Sequence, residues 1–469
     1  MKRLANMVLI FCFFFFVGQA GAEEKKSVVL PALSTIKVLD LQTAQEIALA
    51  GNPDMAAAMT RVEQARARIK QAAAAWWPSL DARLSGTKTE LARNFYANSQ
   101  SFSFLADKSM DRTSDDFKAG LQATWILFDG FFRSYKQQQA EFNEKEFAAA
   151  RSDSQRLLAF SVAEAFFNAQ LAQTKVDIAA ADKKFYLSQL RDADNRYEVG
   201  TGGWGDVLNI KVQLNSAKTS LMLNKRQFEA AGYGLAALMG ISDAAFPEGL
   251  RLAELNRDVK LPGKQEDPET LIKEALAVRP DIHRLQMLAH EARAGSGQAK
   301  APFYPRVQVV GTVNGDSRDD TSFSADDFGN SIGVNIAWNL FSGGLDRARF
   351  FEARHREREV AYTLASLRNK VAAEVRQDIA LLAAAEEQVR LQRESVTLVR
   401  ENRDLAKNEY EAGETSLVRL NEAQRDLTTT YSRLAQALVG YHQAHHRLLA
   451  ATGRNLQSLI PVDKPHGKK

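Results

Sequence analysis

Three histidines near the end of the chain have the type and spacing that could bind a metal. His442, His445 and His446 lie three and one residues apart, so on a helix they share one face. Imidazole nitrogens are ligands for zinc, copper and nickel. However, no cysteine or carboxylate accompanies them, and a solvated helix face explains the same spacing. The sequence therefore favours a solvated face and assigns no metal or cofactor.

A glycine-rich segment is the second candidate for chemistry. It reads Gly200-Thr201-Gly202-Gly203-Trp204-Gly205, which matches the dinucleotide-binding fingerprint. That motif requires a strand before it and a βαβ unit around it, whereas here the preceding residues are typical of a very long helix. The segment therefore indicates a flexible helix tip. Since no nucleophile elbow or zinc-protease motif occurs either, the sequence predicts no enzymatic activity.

An internal repeat organises the chain that carries these residues. Residues in the first part of each unit recur 227 positions later, and residues in the second part recur 213 positions later. The matched pairs are Leu49 and Leu276, Pro53 and Pro280, Pro78 and Pro305, Leu80 and Val307, Trp125 and Trp338, Phe128 and Phe341, Tyr197 and Tyr410, Gly200 and Gly413, and Gly240 and Gly453. The chain is thus two long units of one architecture, and the second unit has the shorter loop.

The first 22 residues are typical of a secretory signal peptide. Lys2 and Arg3 precede an apolar run, and Ala20-Gly21-Ala22 supplies small residues before Glu23. The alternative is a membrane anchor, but the run is far shorter than the ~20 residues that span a bilayer. We therefore expect export and cleavage.

Composition limits the partners. The only cysteine, Cys12, lies inside the apolar run without the small residues that lipid attachment requires, so we expect no disulfide and no lipid. Lys and Arg number 61 and Asp and Glu 57, a near balance that predicts no nucleic-acid partner. The mature sequence has no apolar helix of spanning length, so membrane entry would have to use strands.

Four segments alternate as membrane strands do. In Phe117 to Leu127 every second residue is apolar. We predict strands near 79–92, 115–128, 306–314 and 330–341. A soluble sandwich explains the same alternation, but the polar loops 93–115 and 314–327 favour exposed hairpins. Because the smallest membrane barrels have about eight strands, a barrel would have to be shared between chains.

The rest of the chain is predicted to be helical. No proline or glycine occurs between Phe131 and Val199 or between Leu345 and Ala412, and apolar residues from Leu364 onward recur with a mean spacing near 3.5, which indicates coiled-coil packing. We predict helices at 131–199, 206–240, 344–412 and 416–453, in units 23–240 and 268–453 that are joined by 241–267 and followed by a tail, 454–469. The fold class is a mixed α+β membrane protein with two helical hairpins per chain.

These features together resemble the TolC-type outer-membrane efflux proteins. They are the tandem units, the junctions Trp77-Pro78-Ser79-Leu80 and Tyr304-Pro305-Arg306-Val307, the strand exits ending in Asp129-Gly130 and Ser342-Gly343, and the Tyr-x-x-Gly tips. The resemblance implies a homotrimer with a twelve-stranded barrel in outer-membrane lipid of a Gram-negative bacterium and a twelve-helix periplasmic tunnel. It also implies a periplasmic adaptor (membrane fusion protein) and an inner-membrane pump as partners, in tripartite efflux or type I secretion.

The resemblance also implies roles for individual residues. They are a periplasmic gate at Asp206, Arg419 and Glu422; adaptor-docking tips at Gly200, Thr201, Gly202, Gly413, Thr415 and Ser416; an aromatic girdle at Trp125, Phe128, Trp338 and Phe341; and helix-strand junctions at Pro78 and Pro305. Arg419 stands where the family has an acid. It either pairs with Glu422 in a ring around the trimer axis or forms an ordinary exposed helix pair with it.

Three alternatives remain open at this point: a periplasmic coiled-coil structural protein, a stand-alone outer-membrane channel, and a surface enzyme or adhesin that uses the loops. The sequence does not indicate the cargo, which could be a drug, a metal ion or a protein.

Overall fold

The structure is a computed structural model that describes residues 36–96, 111–247, 249–262, 266–457 and 459. The predicted signal peptide, most of the 93–115 loop and the end of the 454–469 tail lie outside these residues. Among the helices described, none is both long and apolar enough to cross a membrane.

Two short helices lead into the first strand of each repeat. In the first repeat they are α1, Leu41–Gly51, and α2, Pro53–Ala74. Asp40 caps α1 by accepting a hydrogen bond from the Thr43 amide at 2.7 Å, and proline occupies the first position of α2, where no amide donor is needed. A two-residue strand, β1 at Val38–Leu39, precedes them.

The first repeat continues through two strands and a helical hairpin. The strands are β2, Ser79–Glu90, and β3, Thr113–Phe128. The hairpin consists of α3, Phe132–Glu198, and α4, Trp204–Leu238. With 67 residues, α3 is about 100 Å long at ~1.5 Å per residue.

The second repeat has the same order of elements. After β4, Arg251–Leu252, which pairs in parallel with β1, come α5, Pro268–Val278, and α6, Pro280–Gln298. The strands are β5, Arg306–Arg318, and β6, Phe328–Ala337. The hairpin consists of α7, Leu345–Ala412, and α8, Leu417–Thr452.

The four long strands form one antiparallel sheet in the order β2-β3-β5-β6. The register aligns Leu80 with Ala123, Leu121 with Val313, and Val309 with Val334. Because side chains alternate along a strand, this register collects the apolar residues on one face and residues such as Gln122, Thr312 and Ser331 on the other. Among the described residues, β2 and β6 have no further strand beside them.

Strand β6 is shorter than the sequence predicts. Its pairing with β5 ends at Ala337, opposite Arg306, whereas we expected the strand to reach residue 341. The preceding residue of β5's chain is Pro305, which has no amide hydrogen and cannot extend the ladder. In the first repeat the equivalent strand β3 continues to Phe128, because it pairs with β5 across a bulge between Ile126 and Phe128.

The main core lies where the helices meet the segment between the repeats. Leu39, Val162, Phe166, Leu235 and Leu438 are buried there with Leu252 of β4. The side chain of Gln173 on α3 both accepts from the Leu252 amide (3.0 Å) and donates to its carbonyl (2.9 Å). The short β1–β4 pair is thereby fixed to the side of the helices.

Candidate functional site

The first helical tip turns at Gly200. Its φ of 76° is in the left-handed region that glycine tolerates best. The amides of Thr201 and Gly202 donate to the Arg196 carbonyl at 2.8 and 3.0 Å and so close the end of α3. A Cβ on Gly202 would lie 2.9 Å from the Arg196 Cβ, whereas one on Gly200 or Gly203 would meet no atom within 4 Å. The tip is therefore tight on one side and open on the other.

Aromatic residues cover the first tip. The rings of Tyr197 and Trp204 lie 5.1 Å apart, and the Lys211 ammonium lies 5.0 Å from the Trp204 ring centroid. Both rings are 47% exposed. They stabilise the bend across the gap between α3 and α4 and still present apolar surface to solvent.

The second tip turns at Gly413, which has a φ of 79°. The amide of Glu414 donates to the Glu409 carbonyl at 2.8 Å, and Ser416 caps α8 by accepting from the Arg419 amide at 3.4 Å. Thr415 is half-buried and Ser416 is exposed. This tip is held by a hydroxyl cap, without an aromatic pair of its own.

The two hairpins contact each other just above their tips. The Arg196 guanidinium lies 5.1 Å from the Tyr410 ring centroid, and the Asn421 amide donates to Asn209 Oδ1 at 3.2 Å. Burial, and after it the negative charge of Asp206, raises the pKa of Tyr410. The half-buried Asp206, in the first turn of α4, is therefore close enough to act on the other hairpin. An apolar cluster fills the same region: Ala193, Val207, Ile210 and Leu417.

Arg419 and Glu422 lie in different environments. Arg419 donates to Asn402 Oδ1 on α7 at 3.2 Å, whereas Glu422 lines a polar cavity of 360 Å³ between α4 and α8. Within the described chain they form no ion pair with each other, so the ordinary helix pair is not formed.

Sequence reasoning missed the polar contact that joins the hairpins beside this cavity. Asp182 Oδ1 on α3 accepts from Gln424 Nε2 at 2.8 Å and from the Thr428 hydroxyl at 3.1 Å, both on α8. The only available signal was the spacing of Gln424 and Thr428, which is one helical turn. This spacing does not identify the partner helix.

The three histidines lie on a half-buried helix face, and the expectation of a solvated face is wrong. His442 stacks on Phe167 with ring centroids 4.9 Å apart, and His446 lies 5.4 Å from the same ring. Burial, and after it the charges of the neighbouring His445 and His442, lowers the pKa of His446 to about 4. Within the described residues no group of histidines and carboxylates has a metal-binding arrangement. His442 and His446 therefore act as packing side chains between α3 and α8.

The residues of the helix-strand junction lie at the ends of the strands. Pro78 and Pro305 directly precede β2 and β5. Trp125 Nε1 donates to the Trp76 carbonyl at 3.0 Å, and Phe128 meets Phe131 edge-on at 5.4 Å. Trp338 and Phe341, beyond the end of β6, are 58% and 87% exposed.

A buried arginine at this junction also escaped the sequence analysis. Arg133, 4% exposed, donates to Asp129 Oδ2 at 2.9 Å and to the carbonyls of Ala75 and Leu127. Its guanidinium lies 4.4 Å from the Trp76 ring centroid. It therefore ties α2, β3 and α3 together at one point. The spacing of Asp129 and Arg133, four residues, was the available signal.

The comparison with known families places this architecture. The pattern of the family described as Outer membrane efflux protein matches residues 45–241 and 271–454, one match for each repeat. The chain belongs to the outer membrane efflux protein family. This family consists of channels, so the expectation of a non-enzymatic protein and the predicted resemblance are both confirmed.

Individual export and efflux proteins match between 70% and 89% of the chain. The pyoverdine export outer membrane protein OpmQ of Pseudomonas aeruginosa is 25% identical over 427 residues, which cover 89% of this chain and 86% of OpmQ. The cation efflux system protein CusC of Escherichia coli is 24% identical over 400 residues, covering 82% and 80%. The alkaline protease secretion protein AprF of Pseudomonas aeruginosa is 28% identical over 348 residues, 70% of each chain.

A solved CusC structure shares the fold. It superimposes with a TM-score of 0.74 at 21% identity, over 91% of this chain and 95% of that one. The predicted TolC-like fold of an outer membrane efflux protein is thereby confirmed.

Proposed function

We propose that three copies of this chain form a duct through the outer membrane of a Gram-negative bacterium, which serves as the exit of a tripartite efflux or type I secretion system. The observation that carries the proposal is the sheet. Leu84 is 84% exposed, Ile332 is 83% exposed and Val334 is 66% exposed, all on one face. An exposed apolar face of this extent suits lipid, while the polar face suits a water-filled interior.

The open edges of the sheet support a trimer. Strands inside a bilayer must have all their backbone groups hydrogen-bonded, so an open four-stranded sheet cannot stand alone there. Three copies would supply twelve strands, with β6 of one copy beside β2 of the next. The helices α4 and α7 lie at the two sides of the helical part and expose apolar residues such as Val212 and Leu398 (62% and 66% exposed), which the same arrangement would cover.

The tips are proposed to hold the gate and to dock a periplasmic adaptor that connects to an inner-membrane pump. In this proposal Asp206, Arg419 and Glu422 regulate the opening, and the exposed residues around Gly200 and Gly413 contact the adaptor. Open space beside Gly200, Gly203 and Gly413 supports docking there. The proposal includes cleavage of the signal peptide without lipidation.

A cross-linking experiment tests the partner. A cysteine introduced as Ser416→Cys, labelled with a cleavable photo-crosslinker in cells, should capture a periplasmic adaptor. The matched label at Ser220→Cys, on the exposed face of α4, should capture a second copy of this chain. Capture of this chain alone from Ser416→Cys, with good labelling, would favour a stand-alone channel.

A conductance experiment tests the gate. Asp206→Ala and Glu422→Ala should each increase ion leakage through the purified protein in planar bilayers, because each removes a charge near the tip. Glu229→Ala is the control, since Glu229 is exposed on α4 about 35 Å along the helix from Asp206 at ~1.5 Å per residue. Unchanged leakage in both tip variants would remove these residues from the gate. Extraction of the protein by carbonate washing would instead favour a periplasmic coiled-coil protein.

A further inference from the structure

A cavity of 770 Å³ lies at the helix-strand junction, on the polar side of the sheet. Ile126 pairs with Gln308, and Arg306 pairs with Ala337. These two pairs alternate along the strands with the pairs of apolar residues, so they belong to the polar face. Three of their residues line the cavity: Ile126, Arg306 and Ala337. In the proposed duct this face surrounds the water-filled interior.

Three cations line this cavity without a partner. Lys136 lies one turn into α3, Arg306 begins β5 and Arg349 lies in the second turn of α7. In the described part of the chain, none of their side chains has a hydrogen bond, an ion pair or a ring contact. Of the two carboxylates in the wall, Asp129 is bound to Arg133 at 2.9 Å, which leaves Asp346 as the counter-charge.

The internal repeat multiplies these charges. Lys136 and Arg349 are 213 residues apart, so both long helices present a cation at the same point. In a trimer, six such cations and three copies of Arg306 would surround the interior at one height and outnumber the three copies of Asp346. Clefts lined by one sign of charge focus the electric field and concentrate counter-ions.

The neutral part of the wall is aromatic. Phe132 and Tyr304 line the same cavity and are 41% and 46% exposed. Arginine binds planar oxyanions with two parallel hydrogen bonds, and exposed rings stack on flat apolar groups. The cavity therefore combines anion recognition with an apolar surface.

We propose that this basic junction binds the carboxylate or phosphate groups of solutes that pass through the duct. The inference rests on the proposed function and adds a class of cargo to it, namely anions, and among them anions with an aromatic or apolar body. The site lies at the opposite end of the long helices from the gate residues at the tips.

The test uses inorganic pyrophosphate as the anion and the purified full-length protein. The triple variant Lys136→Gln, Arg306→Gln and Arg349→Gln is compared with Arg358→Gln, an exposed residue nine positions after Arg349 and thus half a turn round α7. Calorimetry measures pyrophosphate binding in detergent. Planar phosphatidylcholine bilayers measure block of the ionic current, also in an Asp206→Ala background so that a closed tip does not limit it.

We expect pyrophosphate to bind and to block the wild-type protein and the Arg358→Gln control alike. In the triple variant the concentration for half-maximal binding and block should rise about tenfold or more, because charge-assisted contacts are the strong class of hydrogen bond. Equal binding by the wild type and the triple variant, with both folded by circular dichroism, would overturn the anion site.

Other outcomes separate this inference from the proposed function. Absence of any channel current, even in the Asp206→Ala background, would contradict the duct itself. A normal current with undiminished block in the triple variant would contradict only the anion site. The wild type and the triple variant could also differ in ionic current in phosphatidylglycerol bilayers and yet respond equally to free pyrophosphate. That result would identify a lipid headgroup as the occupant and overturn the solute proposal.

Discussion

In each repeat, a side chain between the two short helices holds the end of the second hairpin helix by donating to a backbone carbonyl. The two carbonyls are at equivalent positions, but the side chains differ. In the first repeat Asn52 Nδ2 donates to the Leu238 carbonyl at 2.9 Å. In the second repeat a guanidinium nitrogen of Arg279 donates to the Ala451 carbonyl at 2.9 Å. Asn52 and Arg279 are 227 residues apart, and the two carbonyls are 213 apart, which are the offsets of the repeat.

The contact of Arg279 with the Ala451 carbonyl, here called the second joint, is part of an ionic network. The contact of Asn52 with the Leu238 carbonyl, the first joint, is neutral. Arg279, 4% exposed, also binds Asp281 at 2.8 Å and Glu374 at 2.7 Å. One turn along α7, Asp378 is buried with Oδ2 lacking a hydrogen-bond partner in the described chain. The carbonyl at the end of the return helix can thus receive its hydrogen bond from a neutral amide or from a charged network. Only the charged network makes the stability of the joint sensitive to pH.

The largest expected difference in stability between the two joints follows from replacing Arg279. We expect Arg279→Ala to lower the free energy of unfolding by about 3–5 kcal/mol, because the buried Asp281 loses its hydrogen-bonded guanidinium and keeps only Arg156, at 3.9 Å. Asn52→Ala should cost about 1–2 kcal/mol, the range for a neutral buried hydrogen bond and a lost cap. Thermal unfolding of both variants in detergent, followed by circular dichroism, measures the difference. Equal losses would mean that the ionic network adds nothing.

Removing the charge of Asp378 should stabilise the second joint at neutral pH. Burial, and after it the charge of Glu374, raises the pKa of Asp378 to about 6, although Arg447 and Arg279 oppose the shift. The buried carboxylate therefore lowers stability above pH 6, and this penalty disappears as the pH falls from 6 towards 4. Asp378→Asn should gain about 3 kcal/mol at pH 7.5, by the free energy of a shift of roughly two pKa units.

The control is the same measurement at pH 4, where Asp378→Asn and the wild type should have equal stability. A gain of the same size at both pH values would show that the variant acts through packing and not through charge.

The histidine face offers a second pH-dependent difference between the repeats. The position equivalent to His446 in the first repeat is Tyr233. Because the pKa of His446 is lowered to about 4, its contribution to stability is full above pH 6.5 and is lost as the pH falls from 6.5 towards 4. His446→Tyr should abolish this loss, worth about 2 kcal/mol after allowance for partial exposure. Unfolding midpoints at pH 7 and pH 4.5 measure it; an unchanged acid sensitivity would contradict the assignment.

The smallest expected effect concerns the N-caps of the two tips. Ser416→Ala should destabilise the second tip by about 1 kcal/mol, the usual loss of an N-cap hydroxyl. The first tip has Gly203 at the equivalent cap position, so Gly203→Ser should slow exchange there by adding a cap. Hydrogen exchange at the first turns of α4 and α8 reports each tip separately. Faster exchange at both tips in Ser416→Ala would mean that the tips open as one unit.

The periodic parts of the fold could be predicted from the sequence. The alternation from Phe117 onward identifies the apolar side of β3, and the lack of glycine and proline predicts α3 and α7. The gate, tip and girdle assignments stay predictions, since the fold alone does not test them.

What sequence could not supply is the partner on another element. The end of β6 depends on Arg306 of the neighbouring strand, and the burial of His446 depends on Phe167 of another helix. Gly295 lies inside α6, and the helix runs through it without a break. A Cβ there would lie 2.7 Å from Gln139 Nε2, so the glycine makes room for α3.

The two open edges of the sheet also determine how the protein must be made. In the proposed duct, a newly made chain would carry its apolar face, and the outer edges of the described strands β2 and β6 would be unpaired, until it met another copy. Each edge is a template for any strand, so wrong pairing competes with correct assembly. If three copies assemble as proposed, the outcome depends on the local concentration of chains, and expression faster than delivery to the membrane should yield aggregates in place of channels.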